Sequence, residues 1–418
     1  MIINEKTWRF IRAHADDDVQ KLALKGSKDA DINQALALQQ IAGRQTARRK
    51  LPSWAQVEGI VYPPHLNMEQ CSSEQTARYK AAIINRLLTE GHLSDNTFVD
   101  LTGGFGIDFF WMSQNFQKRY YVEQNEQLCA ISSENFKLLE HDCSVSCCDA
   151  ATYLAEMSHT SVAYLDPARR DGHGTRTYGI EDCTPNVLDL LPLLTEKSDS
   201  VILKLSPMLD WRKAVDDINR VSVIPHIVRE VHIVSIANEC KELLLVLSKV
   251  SQEGLRLFCI NDDQRFVFIP REGIIFSQAG NKVFPRREFA GNTDLTEAAL
   301  YLYEPNASIM KAGCFSEMEA QYAVTQIATS SHLFLSSDEI GDFPGRHFRI
   351  MAISSMNKQT LKLVLADVSQ ANITVRNFPL SAEQLRKKLK LKDGGQVYIF
   401  ATTLTSGEHK LFICRKIG

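Results

Sequence analysis

Thr97-Phe98-Val99-Asp100-Leu101-Thr102-Gly103-Gly104-Phe105-Gly106-Ile107-Asp108 decides how the rest of the chain is read. Its opening residues form a short apolar run with a β-branched member, the pattern of a buried strand. A glycine-rich turn comes next, and Phe109, Phe110, Trp111 and Met112 open a helical pattern. Such a strand–turn–helix unit brings backbone N–H groups and a helix N-terminus close to a bound ligand. Gly104 and Gly106 let the chain turn tightly and let that ligand approach the backbone. Many nucleotide-binding folds share such a loop, so its meaning depends on the sequence around it.

Upstream, a helix is expected from Ser72, with Ser72 and Gln75 as a capping pair, Ala77, Ala81, Ile84 and Leu88 as an apolar face, and Gly91 as its end. Residues 1–70 read as a helical domain, with Asp31 and Gln34 as a second capping pair ahead of Ala35, Leu38 and Ala42. Arg44, Arg48, Arg49 and Lys50 collect at the end of that helix, where they complement its dipole or, alternatively, bind phosphate.

Downstream, Arg119 to Val122 reads as a strand ending in Glu123, about 20 residues past the glycine turn, where a carboxylate would hold a ribose diol. An ordinary solvated glutamate is the alternative. A helix from Asn125 to about His141 leads to a third strand ending at Cys148-Asp149, and Asp149, with Ala150 after it, is placed to accept a hydrogen bond from an adenine amino group. The fourth strand, Ser161 to Leu165, runs into Asp166-Pro167-Ala168-Arg169-Arg170, where proline restricts Asp166 to an extended conformation beside the ligand's reactive end. A fifth strand, Val201 to Leu205, carries Lys204 and ends at Ser206-Pro207, ahead of a helix from Asp210. Strands near Val231–Ile236 and Leu243–Leu247 are too close together for a helical crossover and suit an antiparallel hairpin.

The composition is that of an ordinary soluble globular protein: 418 residues, 44% hydrophobic, 23% charged, net charge −3. No global basic field advertises nucleic acid. The start of the chain, with Glu5, Lys6 and Arg9, does not read as a signal peptide, and no apolar run is long enough to cross a bilayer. The ten cysteines include no CxxC pair, which points to a reducing cytoplasm. Cys143, Cys147 and Cys148 lie near His141, but their alternation reads as a strand of small apolar residues and no metal is expected.

Five strand–helix repeats closed by a hairpin, with no third glycine completing G-x-G-x-x-G, distinguish this pattern from a nicotinamide-binding domain. Asp100-x-Thr102-x-Gly104-x-Gly106 resembles the first motif of class I S-adenosylmethionine-dependent methyltransferases, and Glu123, Asp149 and Asp166-Pro167 fall where that family's next three motifs fall. The resemblance implies a Rossmann-like seven-stranded sheet with a terminal antiparallel hairpin over residues 71–270. It also implies S-adenosylmethionine held by Asp100, Thr102, Gly103, Gly104, Gly106, Glu123, Asp149 and Ala150, with Gln70 and Ser73 closing over it. Asp166 and Pro167 would then receive the group to be methylated. Amino-methylating members usually continue with a second proline and an aromatic residue, which Ala168 and Arg169 replace here. Members that methylate a pyrimidine carbon carry a cysteine where this chain has Ser206; Cys240 is the cysteine left to consider, and a structural thiol is its plainer reading.

The remaining chain reads as α+β: short strands at Leu255–Ile260 and Arg265–Ile269, a helix near Leu295–Leu302, another around Glu317–Ile327, and a basic helix capped by Ser381. Glu69-Gln70-Cys71-Ser72-Ser73-Glu74, Leu203-Lys204-Leu205-Ser206-Pro207 and Tyr303-Glu304-Pro305 resemble segments of a bacterial methyltransferase family with a ferredoxin-like domain (271–342 here) and a THUMP-like domain (343–418). That likeness implies an RNA substrate, contacted by Arg169, Lys204, Lys387 and Lys388. A methyltransferase-fold protein that binds RNA or a partner with little catalysis is the alternative.

Overall fold

The computed structural model describes residues 3–26, 29–91, 93, 96–169, 179–250, 254–270 and 299–417, with Arg169 described in its backbone alone. The chain divides into two compact units, one of Met1–Val231 with Leu243–Leu255, the other of His232–Glu242 with Arg256–Gly418.

The first unit opens with helices α1 (Glu5–Ala13), α2 (Val19–Lys25), α3 (Gln34–Lys50), α4 (Pro52–Ala55) and α5 (His65–Gln70). Ile11, Leu22, Ala37 and Ile41 form a small core among them. Asn33, not Asp31, caps α3, accepting the Leu36 N–H at 3.1 Å. The basic end of α3 is partly engaged: Lys50 Nζ donates to the Met68 and Glu69 carbonyls at the end of α5, and Arg48 pairs with Asp16. Several contacts join this region to the rest of the unit, among them the Ser53 N–H donating to Glu74 Oε2 at 2.9 Å. The side-chain amide of Asn135 hydrogen-bonds both backbone groups of Val61 at 2.9 Å, and Trp54 packs edge-on against Phe105 in the glycine turn.

Next come α6 (Glu74–Thr89), β1 (Thr97–Asp100), α7 (Ile107–Met112), β2 (Lys118–Glu123), α8 (Glu126–Leu138), β3 (Ser144–Cys147), α9 (Ala150–Glu156) and β4 (Thr160–Leu165). Ser73, one residue later than expected, caps α6 by accepting the Thr76 N–H. The two-residue strands β5 (Ala168–Arg169) and β6 (Cys183–Thr184) pair with each other, and α10 (Val187–Lys197), β7 (Ser198–Leu205) and α11 (Trp211–Val221) complete the repeats. β8 (Val228–Ile236) and β9 (Glu239–Ser248) are separated only by Ala237 and Asn238, both at positive φ, the signature of a two-residue hairpin turn.

The strand order reads β8-β9-β7-β4-β1-β2-β3. β1 pairs parallel with β2 and β4, β2 with β3, and β4 with β7, whereas β9 runs antiparallel to β7. β4 and β1 are buried throughout, as expected for strands covered on both faces. Parallel pairing places the carboxyl ends of β1, β2 and β4 side by side.

In the second unit, β10 (Arg256–Asn261) and β11 (Gln264–Phe268) form an antiparallel pair. A second sheet has the order β13-β14-β12-β15-β18-β17-β16, where β12 is Tyr301–Pro305, β13 Thr325–Gln326, β14 Phe334–Ser336, β15 Gly345–Ser354, β16 Asn372–Arg376, β17 Val397–Thr403 and β18 His409–Ile417. Tyr301 and Leu302 therefore lie in a strand, not in the expected helix, the start of which lies outside the described residues. The helix around Glu317 is shorter than expected and spans Phe315–Tyr322. Ser381 caps the helix Ala382–Leu389 with a full capping box, and Leu385 is its buried residue. Among the described residues, no helix is long and apolar enough to cross a membrane.

Candidate active site

The turn after β1 is built by three glycines with different tasks. At Gly103 a Cβ would sit 2.1 Å from the Tyr121 ring. At Gly106, with φ +83°, it would meet Phe136 at 2.5 Å. Gly104 is different: its φ of +56° favours glycine, but a Cβ there would meet only the Thr102 carbonyl oxygen, at an ordinary contact distance of 3.9 Å. The Gly104 N–H donates to Glu123 Oε2 at 2.8 Å, and the Asn125 N–H donates to Oε1 at 2.8 Å. Glu123 is thus fixed at the end of β2 by two backbone donors.

Asp100 is buried, and its Oδ1 accepts the Thr102 N–H at 2.9 Å. Its Oδ2 is buried with no hydrogen-bond partner among the described residues. Burial, with the nearby Asp108, Asp166 and Glu123 charges, pushes this carboxyl well above the usual carboxylate range. Thr102 also reaches the next strand: its Oγ1 accepts the Asp166 N–H at 2.6 Å. Lys204, arriving on β7, donates to Asp166 Oδ2 at 2.6 Å and lies 3.6 Å from Asp108 Oδ2.

Asp108, in the first turn of α7, is a site residue that sequence reasoning missed. It is a hub. Its Oδ2 accepts from Ser72 Oγ and from Tyr164 OH, both at 2.7 Å, and its Oδ1 lies 3.1 Å from Lys80 Nζ. Lys80 is completely buried and also donates to Ser72 Oγ at 3.2 Å. Burial alone would raise the Asp108 carboxyl, but Lys80, Lys204, Tyr164 and Ser72 outweigh it and hold it down at about 2. A signal for Lys80 was available: it falls between Ala77 and Ile84 on the face of α6 that turns inward.

The other expected site residues are more scattered. Asp149 caps α9, accepting from Thr152 N–H at 2.9 Å and Thr152 Oγ1 at 2.5 Å, and Ala150 is the first residue of that helix. Ser73 is a helix cap, while its neighbour Ser72 joins the Asp108 hub. Gln70 is the exposed last residue of α5. Pro167, next to Asp166, is buried, and Ala168 and Arg169 pair with Thr184 and Cys183. Lys387 and Lys388 are exposed on the second unit, Lys387 within 2.8 Å of Glu383. Cys240, also in the second unit, donates to the Ala307 carbonyl at 3.3 Å and accepts from Ser235 Oγ at 3.2 Å; burial pushes its thiol up, against the Ser235 hydrogen bond and the nearby Lys311 charge. His141 is held by Ser113 Oγ in a ring of aromatic side chains, and no group of metal-ligating side chains is present among the described residues.

Comparison with known proteins fits this geometry. Residues 345–416 match the THUMP domain-like family model and residues 301–344 a ferredoxin-like domain model. A crystal structure of a candidate methyltransferase from Porphyromonas gingivalis W83 is 29% identical, covers 100% of both chains and superposes with a TM-score of 0.80. An uncharacterised S-adenosylmethionine-dependent methyltransferase from two strains of Mycobacterium tuberculosis is 22% identical over 273 residues, 63% of this chain and 67% of the relative. The first unit has the fold of a class I S-adenosylmethionine-dependent methyltransferase. The sheet order and the glycine turn after β1 carry that likeness. The residues also suit S-adenosylmethionine as a ligand: Asp100 leaves a buried oxygen without a partner among the described residues, a Cβ at Gly104 would touch nothing nearer than 3.9 Å, and the carboxylates complement a cationic sulfur and an ammonium group.

Proposed function

We propose that this methyltransferase transfers the methyl group of S-adenosylmethionine to a base of a structured RNA. The observation that carries the reading is the junction of Thr102, Asp166 and Lys204, which fixes a carboxylate at the carboxyl end of β4 beside the glycine turn. When bound, the sulfonium supplies an electrophilic methyl group. This chain's residues would do the rest. The turn Gly103–Gly106 and Asp100 would hold the amino-acid end, Glu123 the ribose, and Asp149 with Ala150 the adenine. Gln70 and Ser73 would close the near side.

Asp166 would meet the acceptor. Lys204 engages Oδ2, which leaves Oδ1 to accept a hydrogen bond from a base N–H and so align the nucleophile for in-line displacement. Pro167 stiffens the chain there, and Arg169 would stack on a base or hold a phosphate. The RNA part of the proposal is supported by the THUMP-like match at 345–416, with Lys387 and Lys388 as phosphate contacts. The cytoplasm, where such RNA resides, is the expected location.

The test is transfer of tritium from labelled S-adenosylmethionine into total cellular RNA. Wild type should label RNA, and Asp166→Ala should not, although it still binds the cofactor. Cofactor binding without RNA labelling would favour a binding protein of methyltransferase fold.

A further inference from the structure

Lys80 is an expensive residue to keep. Its ammonium is completely buried on the inward face of α6, and replacing a buried ion pair with apolar side chains of similar size is often neutral or stabilising. The pair is also not isolated. From Lys80 the contacts run to Asp108 at 3.1 Å, from Asp108 to Lys204 at 3.6 Å, and from Lys204 to Asp166 at 2.6 Å. Positive and negative charges alternate along the whole chain. Ser72 and Tyr164 each add a 2.7 Å hydrogen bond to the same Asp108 oxygen that faces Lys204.

From this we infer that Asp108, clamped by Lys80, Ser72 and Tyr164, is a positioning residue that keeps the Lys204 ammonium charged and seated against Asp166. The inference rests on the methyl-transfer reading for its purpose, since Asp166 is the group placed at the acceptor. Lys204 is 11% exposed in its side chain, so water screens its charge little, and Asp108 gives it a second carboxylate beside Asp166. Without Asp108, the Lys80 charge would push against Lys204, which would then leave the pair or lose its proton. Either way Asp166 would lose its cation.

Two experiments separate this inference from the reading beneath it. In the first, the Asp166 side-chain carboxyl is followed by carbon NMR against pH in full-length protein. The charged groups that face it are Lys204 on β7, Asp108 on α7, Lys80 on α6 and Asp100 on β1. Lys204→Met should raise the Asp166 midpoint, and Asp108→Asn should raise it as well. A fall or no change in Asp108→Asn would overturn the inference, because Asp108 would then be only a like charge, or no influence at all. This readout needs no RNA and holds whether or not the protein labels any. In the second, Tyr164→Phe and Ser72→Ala, which leave every charge in place, should lower kcat for RNA labelling roughly ten- to hundredfold with cofactor affinity and KM unchanged. A lowered Tm with kcat intact would show that these contacts only stabilise the fold, and would also overturn the inference.

Discussion

The Asp166 N–H donates to Thr102 Oγ1 at 2.6 Å, which ties the end of β4 to the turn after β1. The two residues are far apart in sequence, yet parallel pairing of β1 with β4 brings Asp100 opposite Tyr164 and makes the contact short-range in space. Thr102→Val keeps the shape but leaves that partly buried N–H without an acceptor. The expected cost is about 1–2 kcal/mol in a denaturant titration, while Thr102→Ser stays within about 0.5 kcal/mol of wild type.

Gly103 and Gly104 should answer differently to the same substitution. Gly103→Ala drives a methyl group into the Tyr121 ring, which Phe109 and Phe136 hold edge-on, so the stability loss should be about 3 kcal/mol. Gly104→Ala meets no atom closely and carries only the cost of its positive φ, about 1 kcal/mol. Thermal or denaturant unfolding of the two variants checks the order.

His141 gives stability a pH dependence. Burial, helped by Arg119, lowers its imidazole to about 4 from its ordinary value of 6.5. Between those values the unfolded chain holds a proton that the folded chain does not, so stability is full above pH 6.5 and falls as pH drops toward 4, by about 3 kcal/mol for this group. Below pH 4 the loss is complete. His141→Gln, which can still hydrogen-bond Ser113, should flatten the profile in that window when unfolding is measured at a series of pH values.

Much of this arrangement could be read from local pattern. Asp100 through Asp108 showed its strand, turn and helix directly, because buried strand residues and left-handed glycines leave strong local marks. Asp166-Pro167 stood out because proline stiffens the exit from a buried strand, and the short link from Ala237 to Lys241 announced the hairpin, whose turn the structure narrows to Ala237 and Asn238. The Asp108 hub was not legible, since its partners Ser72, Lys80, Tyr164 and Lys204 come from separate parts of the chain and meet only through the sheet order. Ser72 and Ser73 show the limit well: either serine could cap α6, and the choice frees the other for Asp108. Tyr301 and Leu302 read as helix because a short apolar run carries no clear period; pairing with β14 and β15 decides it as strand.

Titration calorimetry with S-adenosylmethionine tests the central claim most directly, on wild type, Gly104→Val and Asp166→Asn, with circular dichroism confirming that each is folded. The glycine turn as cofactor site predicts micromolar binding in wild type, retention in Asp166→Asn and loss in Gly104→Val, whose side chain would project from the turn where the ligand approaches the backbone. No binding by wild type, or undiminished binding by folded Gly104→Val, would contradict it.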